Sequence, residues 1–392
     1  MEYKELKKKI LKEIEKNHAE LVNLNDNIAD NPEISGKEYE TSKKIVDLLK
    51  SHGYITTYPY AGIDTAFKAV YGENNHTHKV AILAEYDALP EIGHACGHCL
   101  SGSISVLSGL ATKDLQDELD TDIHIIGTPV EETDGAKCTM VNQGIFDDYE
   151  MAIMVHLYNY NLIIPTFQGL APYIYEFKGK AAHASAAPWE GVNALNAVQL
   201  MFHAVDMLRQ HTKIDAQFHG VIRDGGAAPN IVPETASAEF FIRSLDKEYL
   251  EYLVKLVDDC AEGAAIATQT TWSKHSTAAV YDNLKHNRTG GETLEEVYRE
   301  LGIDENGDRN KIFGSSDIGN VSFRCPAFHP CLQVVPEDIP IHTREFAAAM
   351  KSDRAHAALD DGAKVISFQI AKIFSDKEKI KLLKDDFKEN RG

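Results

Sequence analysis

Hydrophobic and polar positions near the start of the chain follow a helical spacing. Apolar residues recur every three or four positions over residues 3–28 and again over 37–52, and Gly53 supplies a stop signal after the second segment. Short runs that are almost wholly apolar come next, at residues 79–85, 122–127 and 151–156. The small residues of 101–111 predict a tightly packed helix between the first two runs. Short apolar runs that alternate with helices are typical of strands buried on both faces. The pattern predicts an α/β domain with a mixed sheet flanked by helices.

The pattern changes near Ala171. Alternating segments and long helical segments now follow one another, at residues 173–177, 193–211, 235–244 and 247–267. This order predicts a smaller α+β unit, residues 171–282, inserted into a first domain made of residues 1–170 and 283–392.

The α/β pattern resumes after Asn283. It predicts a helix over 292–301, a strand over 331–335 and a closing helix over 343–374. The acidic, lysine-rich residues after Ser375 are expected to form a solvated tail.

Composition narrows the classes of partner and compartment. The 392 residues carry 40 Lys and Arg against 60 Asp and Glu, a formal net charge of -20, which disfavours nucleic acid and anionic membranes as partners. No apolar run approaches the roughly 20 residues of a membrane-spanning helix. The first twenty residues lack the apolar core of a signal peptide, and the six cysteines are scattered, unlike a secreted disulfide framework. We therefore expect a cytoplasmic protein.

Candidate metal ligands follow three of the predicted strands. Cys96 and His98 come soon after the first, Glu131 and Glu132 after the second, and His156 ends the third. Ligands in open α/β sheets bind at the carboxyl ends of strands, where these residues would meet. Thiolate, imidazole and carboxylate together favour zinc, with manganese or cobalt as substitutes. The sequence therefore predicts a metal site at this edge of the sheet.

The adjacent glutamates suggest hydrolytic chemistry. One carboxylate can bind metal while the other acts as general base toward a metal-bound water. Three other interpretations stay open at this point. The Cys96-Gly-His-Cys99 segment is also the CxxC pattern of disulfide isomerases. A structural zinc knuckle could pair these two cysteines with Cys325 and Cys331, and an isolated Glu-Glu is more often a solvated turn.

A series of motifs resembles the superfamily of two-metal exopeptidases and aminoacylases, in particular its amidohydrolase branch, which includes aminobenzoyl-glutamate hydrolase and bacterial aminoacylases. The resemblance covers nearly the whole chain. Its motifs, in family order, lie at residues 31–35, 84–90, 93–98, 127–132, 155–156, 178–184, 225–233, 316–322 and 328–330.

The resemblance implies a role for each matching residue. Two divalent metal ions per subunit would be held by Cys96 as the bridging ligand together with His98, Glu132, His156 and His329. Glu131 would be the general base. Asp87 would orient a metal ligand or the metal without binding the metal directly. His183, from a neighbouring subunit, would stabilise the oxyanion, and Asn230 would bind the substrate. The inserted unit would form a homodimer or homotetramer and close as a lid.

The implied reaction is hydrolysis of an amide bond in an N-acyl amino acid or a small peptide. A dipeptidase or broad peptidase is the alternative within this fold, and a non-catalytic binding or scaffold protein is the alternative from another class. The family usually has Asp or Asn where this chain has Cys99, which suggests sensitivity to oxidation. His94 and His342 are expected to be structural, with His342 at a helix entrance.

Overall fold

The protein forms two compact units, seen in a computed structural model that describes residues 1–312 and 314–390. The first unit runs from Met1 to Thr166 and resumes at Leu284, and the second runs from Phe167 to Asn283 and includes Gly314–Ser316. The limits predicted from sequence, 171 and 282, lie within a few residues of these boundaries. Among the described residues, no helix combines the length and apolar character needed to cross a membrane.

The first part of the chain builds most of the larger unit. Its elements are α1 (Tyr3–Asp30), α2 (Tyr39–Ser51), β1 (Ile55–Thr57), β2 (Phe67–Val70), β3 (His78–Ala84), α3 (His98–Thr112), α4 (Gln116–Leu119), β4 (Thr121–Gly127), α5 (Ala136–Asn142), β5 (Met151–Ile153) and β6 (His156–Tyr158), with a 3₁₀ turn at Lys113–Leu115.

The smaller unit is an antiparallel sheet covered by two helices. Its elements are β7 (Gly169–Lys178), α6 (Ala194–Leu208), β8 (Gln217–Asp224), β9 (Thr235–Ser244), α7 (Lys247–Thr268) and β10 (Thr271–Ser276), with 3₁₀ turns at Pro188–Glu190 and Arg209–His211. The strands lie in the order β10-β7-β9-β8, so β8 and β10 form the edges. Alternate residues of β9 are buried against the helices, as the period of two in its sequence predicts.

The last part of the chain returns to the larger unit. It contributes α8 (Arg288–Leu301), α9 (Ile318–Ser322), β11 (Ala327–Phe328), β12 (Cys331–Gln333), α10 (Arg344–Ala349), α11 (Asp353–Phe374) and α12 (Lys377–Glu389). The six-stranded sheet has the order β1-β2-β4-β3-β5-β11. Strands β4, β3, β5 and β11 are parallel, while β1 and β2 are antiparallel to their neighbours. The predicted mixed sheet with flanking helices is confirmed.

Helix α3 is buried along its entire length and packs against α1 and α11. Serine side chains let a helix run through the core, because each hydroxyl donates to a backbone carbonyl. Ser101 donates to the carbonyl oxygen of Val155 at 2.7 Å, and Ser105 donates to that of Leu83. A Cβ on Gly102 would lie 2.4 Å from the carbonyl oxygen of Glu85, so only glycine allows this approach. The start of α3 is thereby fixed against the ends of the central strands.

Two predictions about the C-terminal region are wrong. The closing helix is interrupted after Ala349, because Ser352 caps a new helix by accepting from the backbone N–H of Ala355. The residues after Ser375 are not a solvated tail. They form α12, which buries Ile380 and Leu383, since apolar residues at i and i+3 lie on one helical face even in a strongly charged segment.

Candidate metal centre

The parallel strands bring the candidate residues together at one edge of the sheet. Four neighbouring strands, β4, β3, β5 and β11, end here. The residues at or just beyond their carboxyl ends are Glu131 and Glu132, Glu85 and Asp87, His156, and His329. The predicted strand over 151–156 stops at Ile153, and His156 begins the short strand β6. The sheet topology therefore supplies a carboxylate and imidazole cluster from four separate segments of the chain.

Cys96 and His98 reach the cluster through a tight turn. Gly97 has φ +83°, and a Cβ at this position would lie 2.9 Å from Cβ of Leu157. Both steric conditions require glycine. His98 is the first residue of α3, and Cys96 and His98 are both buried. Burial and then the nearby Glu132 raise the pKa of the Cys96 thiol well above its ordinary value.

The ring of His98 is oriented by Asp87. Nδ1 of His98 lies 3.0 Å from both the backbone oxygen and Oδ1 of Asp87. The other carboxylate oxygen of Asp87 accepts from the hydroxyl of Ser35 at 2.6 Å and the backbone N–H of Glu132 at 3.0 Å. Burial alone would lower the pKa of His98, but the carboxylates of Asp87 and Glu85 raise it well above its ordinary value. This arrangement leaves Nε2 of His98 directed at the cluster.

The potential ligand atoms form overlapping groups. In each group the donor atoms all lie within 4.8 Å of one another. Three of the groups are Cys96 with His98 and His156, Cys96 with Glu132 and His342, and Glu85 with His156 and His329. The rings of His156 and His329 stack with 5.1 Å between centroids. The five residues assigned as ligands from the sequence are therefore near one another, but they are joined by two further residues, Glu85 and His342.

His342 does lie at a helix entrance, as expected, but it also contacts the cluster. Its Nε2 lies 3.0 Å from Sγ of Cys96 and 4.0 Å from Oε1 of Glu132. The backbone has φ +63°, and its N–H donates to the carbonyl oxygen of Ala95 at 2.9 Å. Its side chain is 52% exposed, so it forms the solvent side of the cluster. Only the Thr343 helix cap marked this position in the sequence.

A trio of buried charged residues, Lys137, Glu85 and Asp317, lies next to the cluster. Nζ of Lys137 lies 2.6 Å from Oε1 of Glu85 and 2.6 Å from Oδ1 of Asp317, and all three side chains are fully buried. Burial would raise the pKa of Glu85, but Lys137 and the neighbouring histidines hold it below its ordinary value. Burial raises the pKa of Asp317. None of these three residues was predicted from the sequence.

Glu131 lies next to this trio. Burial, followed by the neighbouring carboxylates of Glu85, Asp317 and Glu132, raises the pKa of Glu131 well above its ordinary value. Its ligand atoms group with those of His98 and Glu132, and with those of Glu85 and Asp317. A carboxylate with raised proton affinity at the edge of a cation site is suited to accept a proton from water.

His183 and Asn230 are neighbours on the smaller unit. The backbone N–H of Ala184 donates to the carbonyl oxygen of Asn230 at 3.0 Å, and both side chains are exposed. Nδ1 of His183 accepts from the backbone N–H groups of Ser185 and Ala186, each at 3.3 Å. Nδ1 is therefore an acceptor, and Nε2 is the ring nitrogen that can donate a hydrogen bond outward.

The cysteines do not support the alternative interpretations. All six are free thiols, so Cys96 and Cys99 do not form a disulfide. Across the described ranges, Cys325 and Cys331 belong to none of the potential metal-ligand groups. Cys99 is fully buried, and burial raises the pKa of its thiol to about 12. A buried protonated thiol is a poor target for peroxide, which argues against the oxidation sensitivity inferred from sequence.

Comparisons with known proteins identify similar sequences and structures. A family model described as a peptidase dimerisation domain matches residues 167–268. The chain is 31% identical to the Xaa-Arg dipeptidase of Mus musculus, over 89% of this chain and 84% of that relative. It is 26% identical to one of the subunits of p-aminobenzoyl-glutamate hydrolase from Escherichia coli (strain K12), with 93% and 91% covered. A dinuclear metal binding peptidase of the M20 family from Bacillus subtilis has a similar structure, with a TM-score of 0.71 and 17% identity over 92% of this chain and 99% of that one.

The similarity to the mouse protein spans both units of the chain and so is not limited to the dimerisation domain. The resemblance drawn from the motifs is confirmed. The chain belongs to the M20 family of metal-dependent amide and peptide hydrolases.

Proposed function

We propose that the cluster at the edge of the sheet binds two divalent cations and hydrolyses the amide bond of small peptides or N-acyl amino acids. The observation that carries the proposal is a set of buried polar atoms without a hydrogen-bond partner among the described residues: Oε2 of Glu85, Nε2 of His98 and Oε1 of Glu132. Each unsatisfied buried group costs about 1–3 kcal/mol, so several together in one place indicate a binding site for a ligand that satisfies them. Their chemistry, two carboxylates and an imidazole beside a thiol, fits divalent cations.

The donors divide between two ions. An outer ion would be held by Cys96, Glu132 and His342, and an inner ion by His98, His156 and His329. Cys96 also lies within reach of His98 and His156, which supports its role as the bridging ligand. The proposal retains the five ligands inferred from sequence and adds His342. A thiolate with several imidazoles favours zinc, although manganese or cobalt can occupy such sites.

The chain's own groups would then carry out the proton transfers. Divalent ions bound here supply a polarised carbonyl and a water with its pKa lowered to ~7. Glu131 accepts a proton from the attacking water as its oxygen bonds to the carbonyl carbon, and later donates this proton to the amine nitrogen as the C–N bond breaks. His183, from the neighbouring subunit, donates through Nε2 to the developing oxyanion. Asn230 donates an amide N–H to the substrate, and Asp87 keeps His98 oriented.

A dipeptide substrate is favoured over an N-acyl amino acid. The mouse relative is named Xaa-Arg dipeptidase and matches at higher identity than the bacterial aminobenzoyl-glutamate hydrolase chain. The net charge of -20 would also attract a basic substrate. We therefore propose dipeptides with a basic C-terminal residue as the preferred class, and N-acyl amino acids as the second candidate.

A substrate panel tests the proposal. Purified protein is loaded in turn with zinc, manganese and cobalt and incubated with Xaa-Arg, Xaa-Lys and Xaa-Glu dipeptides, hippurate and aminobenzoyl-glutamate. We expect the highest kcat/KM for the basic dipeptides. Faster cleavage of hippurate or aminobenzoyl-glutamate would favour the second candidate. A protein that binds no metal and cleaves none of these would be a scaffold that has lost catalysis.

The smaller unit is proposed to form the dimer contact. Strand β8 is an edge strand, and its side chains from Val221 to Asp224 are exposed, including two large apolar ones. Exposed edges of this kind pair readily with a second strand. Light scattering coupled to gel filtration distinguishes a dimer from a tetramer or monomer. The six free thiols support our placement of the protein in the reducing cytoplasm.

A further inference from the structure

The two carboxylate oxygens of Glu85 have different surroundings. Oε1 accepts from Nζ of Lys137 at 2.6 Å. Oε2 lies 3.3 Å from Nε2 of His98, yet within the described part of the chain neither of these two atoms has a hydrogen-bond partner. Glu85 is 0% exposed, so solvent does not satisfy the free oxygen. One oxygen is thus anchored by lysine, and the other is aimed at the histidines.

The charges around Glu85 do not balance. Lys137 also pairs with Asp317, so one buried cation faces two buried carboxylates. If both carboxylates are ionised, a negative charge remains on the side of Glu85 that faces His98, His156 and His329. A buried charge without compensation is costly, and a bound cation removes that cost.

The spacing of the free atoms fits two donors on one ion. Two ligands at about 2.0–2.2 Å from a tetrahedral ion lie about 3.3–3.5 Å apart. Nε2 of His98 and Oε2 of Glu85 are 3.3 Å apart. A carboxylate oxygen of Glu85 also lies within 4.8 Å of ring nitrogens of His156 and His329, which form a group of potential ligands with it. Glu85 is therefore adjacent to His98 on one side and to the pair His156 and His329 on the other.

The competing explanation is an imidazolium shared by two carboxylates, with His98 donating to Asp87 on one side and to Glu85 on the other. That arrangement requires a hydrogen bond between Nε2 and Oε2. The two atoms are close but do not form one, whereas donors that converge on an ion direct their lone pairs at a common point and not at each other.

We propose that Glu85 is a direct ligand of the inner ion, which it binds through Oε2 together with His98, His156 and His329. Lys137 and Asp317 hold the opposite side of the carboxylate and fix the direction of the free oxygen. The inference rests on the proposed two-metal site and adds a carboxylate ligand to it. It also gives the inner ion a carboxylate donor, as Glu132 gives one to the outer ion.

The test measures metal binding separately from activity. Wild type, Glu85→Gln and Glu85→Asp are stripped of metal and titrated with cobalt. Bound metal is counted by mass spectrometry, and the visible spectrum of each bound cobalt is recorded. Glu38→Gln is the matched control, because Glu38 is another fully buried glutamate and belongs to none of the donor groups formed by the described residues.

We expect wild type and the control to bind two ions. Glu85→Gln should bind the inner ion at least about 100-fold more weakly, the upper end of the effect of a supporting residue, and with a changed cobalt spectrum. Glu85→Asp should fall between them. Two ions with unchanged affinity and spectrum in Glu85→Gln would overturn the inference. Weaker binding with an unchanged spectrum would overturn it equally, because Glu85 would then only support the ligands.

Two further outcomes distinguish failure of the proposed function from failure of this inference. A wild type that binds no metal defeats the proposed function itself, whereas two ions in wild type with an unaffected Glu85→Gln defeat only this inference. Should the variants fail to fold, anomalous scattering from crystals of zinc-loaded wild type gives the answer. An ion within about 2.3 Å of Oε2 of Glu85 supports direct ligation, and one beyond about 3 Å contradicts it.

Discussion

Asp87 holds the ring of His98 through its backbone oxygen, which lies 3.0 Å from Nδ1 of the histidine, and its carboxylate Oδ1 lies at the same distance from Nδ1. Both side chains are buried, and the second oxygen of Asp87 is held by the hydroxyl of Ser35 and the backbone of Glu132. One aspartate therefore couples the start of helix α3 to the loop that carries the two glutamates. Supporting residues of this type set the orientation of a metal ligand.

Asp87→Asn should weaken metal binding without abolishing it. The amide lacks the negative charge and cannot satisfy all three donors, so we expect the affinity for at least one ion to fall by about 10–100-fold. Competition with a chromogenic chelator measures the change. Asp26→Asn is the control, because Asp26 makes a similar contact with His356, 2.9 Å long, on other elements. Equal affinity in Asp87→Asn and wild type would show that Asp87 does not support the site.

Glu131→Gln should keep both ions and lose turnover. Glutamine retains the size of the side chain but cannot accept a proton, and general-base catalysis contributes about 10²–10⁴-fold. We expect kcat to fall by that factor with two metal ions still bound, as measured by steady-state assay and elemental analysis. Asp134→Asn, an exposed change on the same loop, should have no effect. A kcat within about threefold of wild type would rule out Glu131 as the base.

His342→Ala and His329→Ala should remove different ions. His342 contacts Cys96 and Glu132, whereas His329 stacks on His156 and groups with Glu85. We expect each variant to retain about one tightly bound ion, and the double variant to retain none, because the two histidines belong to different groups of donors. Titration with cobalt measures the stoichiometry, and His356→Ala provides the control. If His342→Ala still binds two ions tightly, His342 is not a ligand.

Short-range sequence patterns were enough to predict most of the fold. The site residues that were not predicted are brought together by long-range contacts. The apolar runs that became β3 and β4 were recognisable because buried parallel strands are apolar on both faces. Candidate ligands that directly follow such strands, such as His156, could therefore be proposed from sequence. His342 could not, because it meets Cys96 across 246 positions of the chain. Lys137 and Asp317 are 180 positions apart, and nothing local marks them as partners.

Glu85 was missed for a different reason. It follows an apolar strand within a recognised motif, but a single acidic residue there is as readily a solvated strand end as a ligand. Its complete burial and its contact with Lys137 in the folded structure exclude the solvated strand end. Helix α12 was missed because just two of its apolar residues, Ile380 and Leu383, are buried, too few for a clear helical period.

A buried histidine away from the candidate metal centre should make the stability of the larger unit depend on pH. His124 lies in β4 and is 1% exposed. Its Nδ1 lies 2.7 Å from the hydroxyl of Tyr149, and its Nε2 contacts the side-chain oxygen of Asn74. These partners satisfy a neutral ring, with Tyr149 donating and Asn74 accepting. Burial, followed by the nearby Lys68, lowers the pKa of His124 to about 3.

Between pH 6.5 and pH 3 the unfolded chain therefore binds a proton at this position that the folded chain does not, so folding is favoured above pH 6.5 and weakens as the pH falls. The loss approaches about 1.4 kcal/mol per pH unit. In chelated protein, the decrease in the free energy of unfolding from about pH 7.5 to about pH 4.5, measured with urea, should be about 2–3 kcal/mol smaller for His124→Gln than for wild type. His203→Gln, an exposed site, should match wild type. An equal decrease in His124→Gln and wild type would mean that His124 titrates normally in the folded protein.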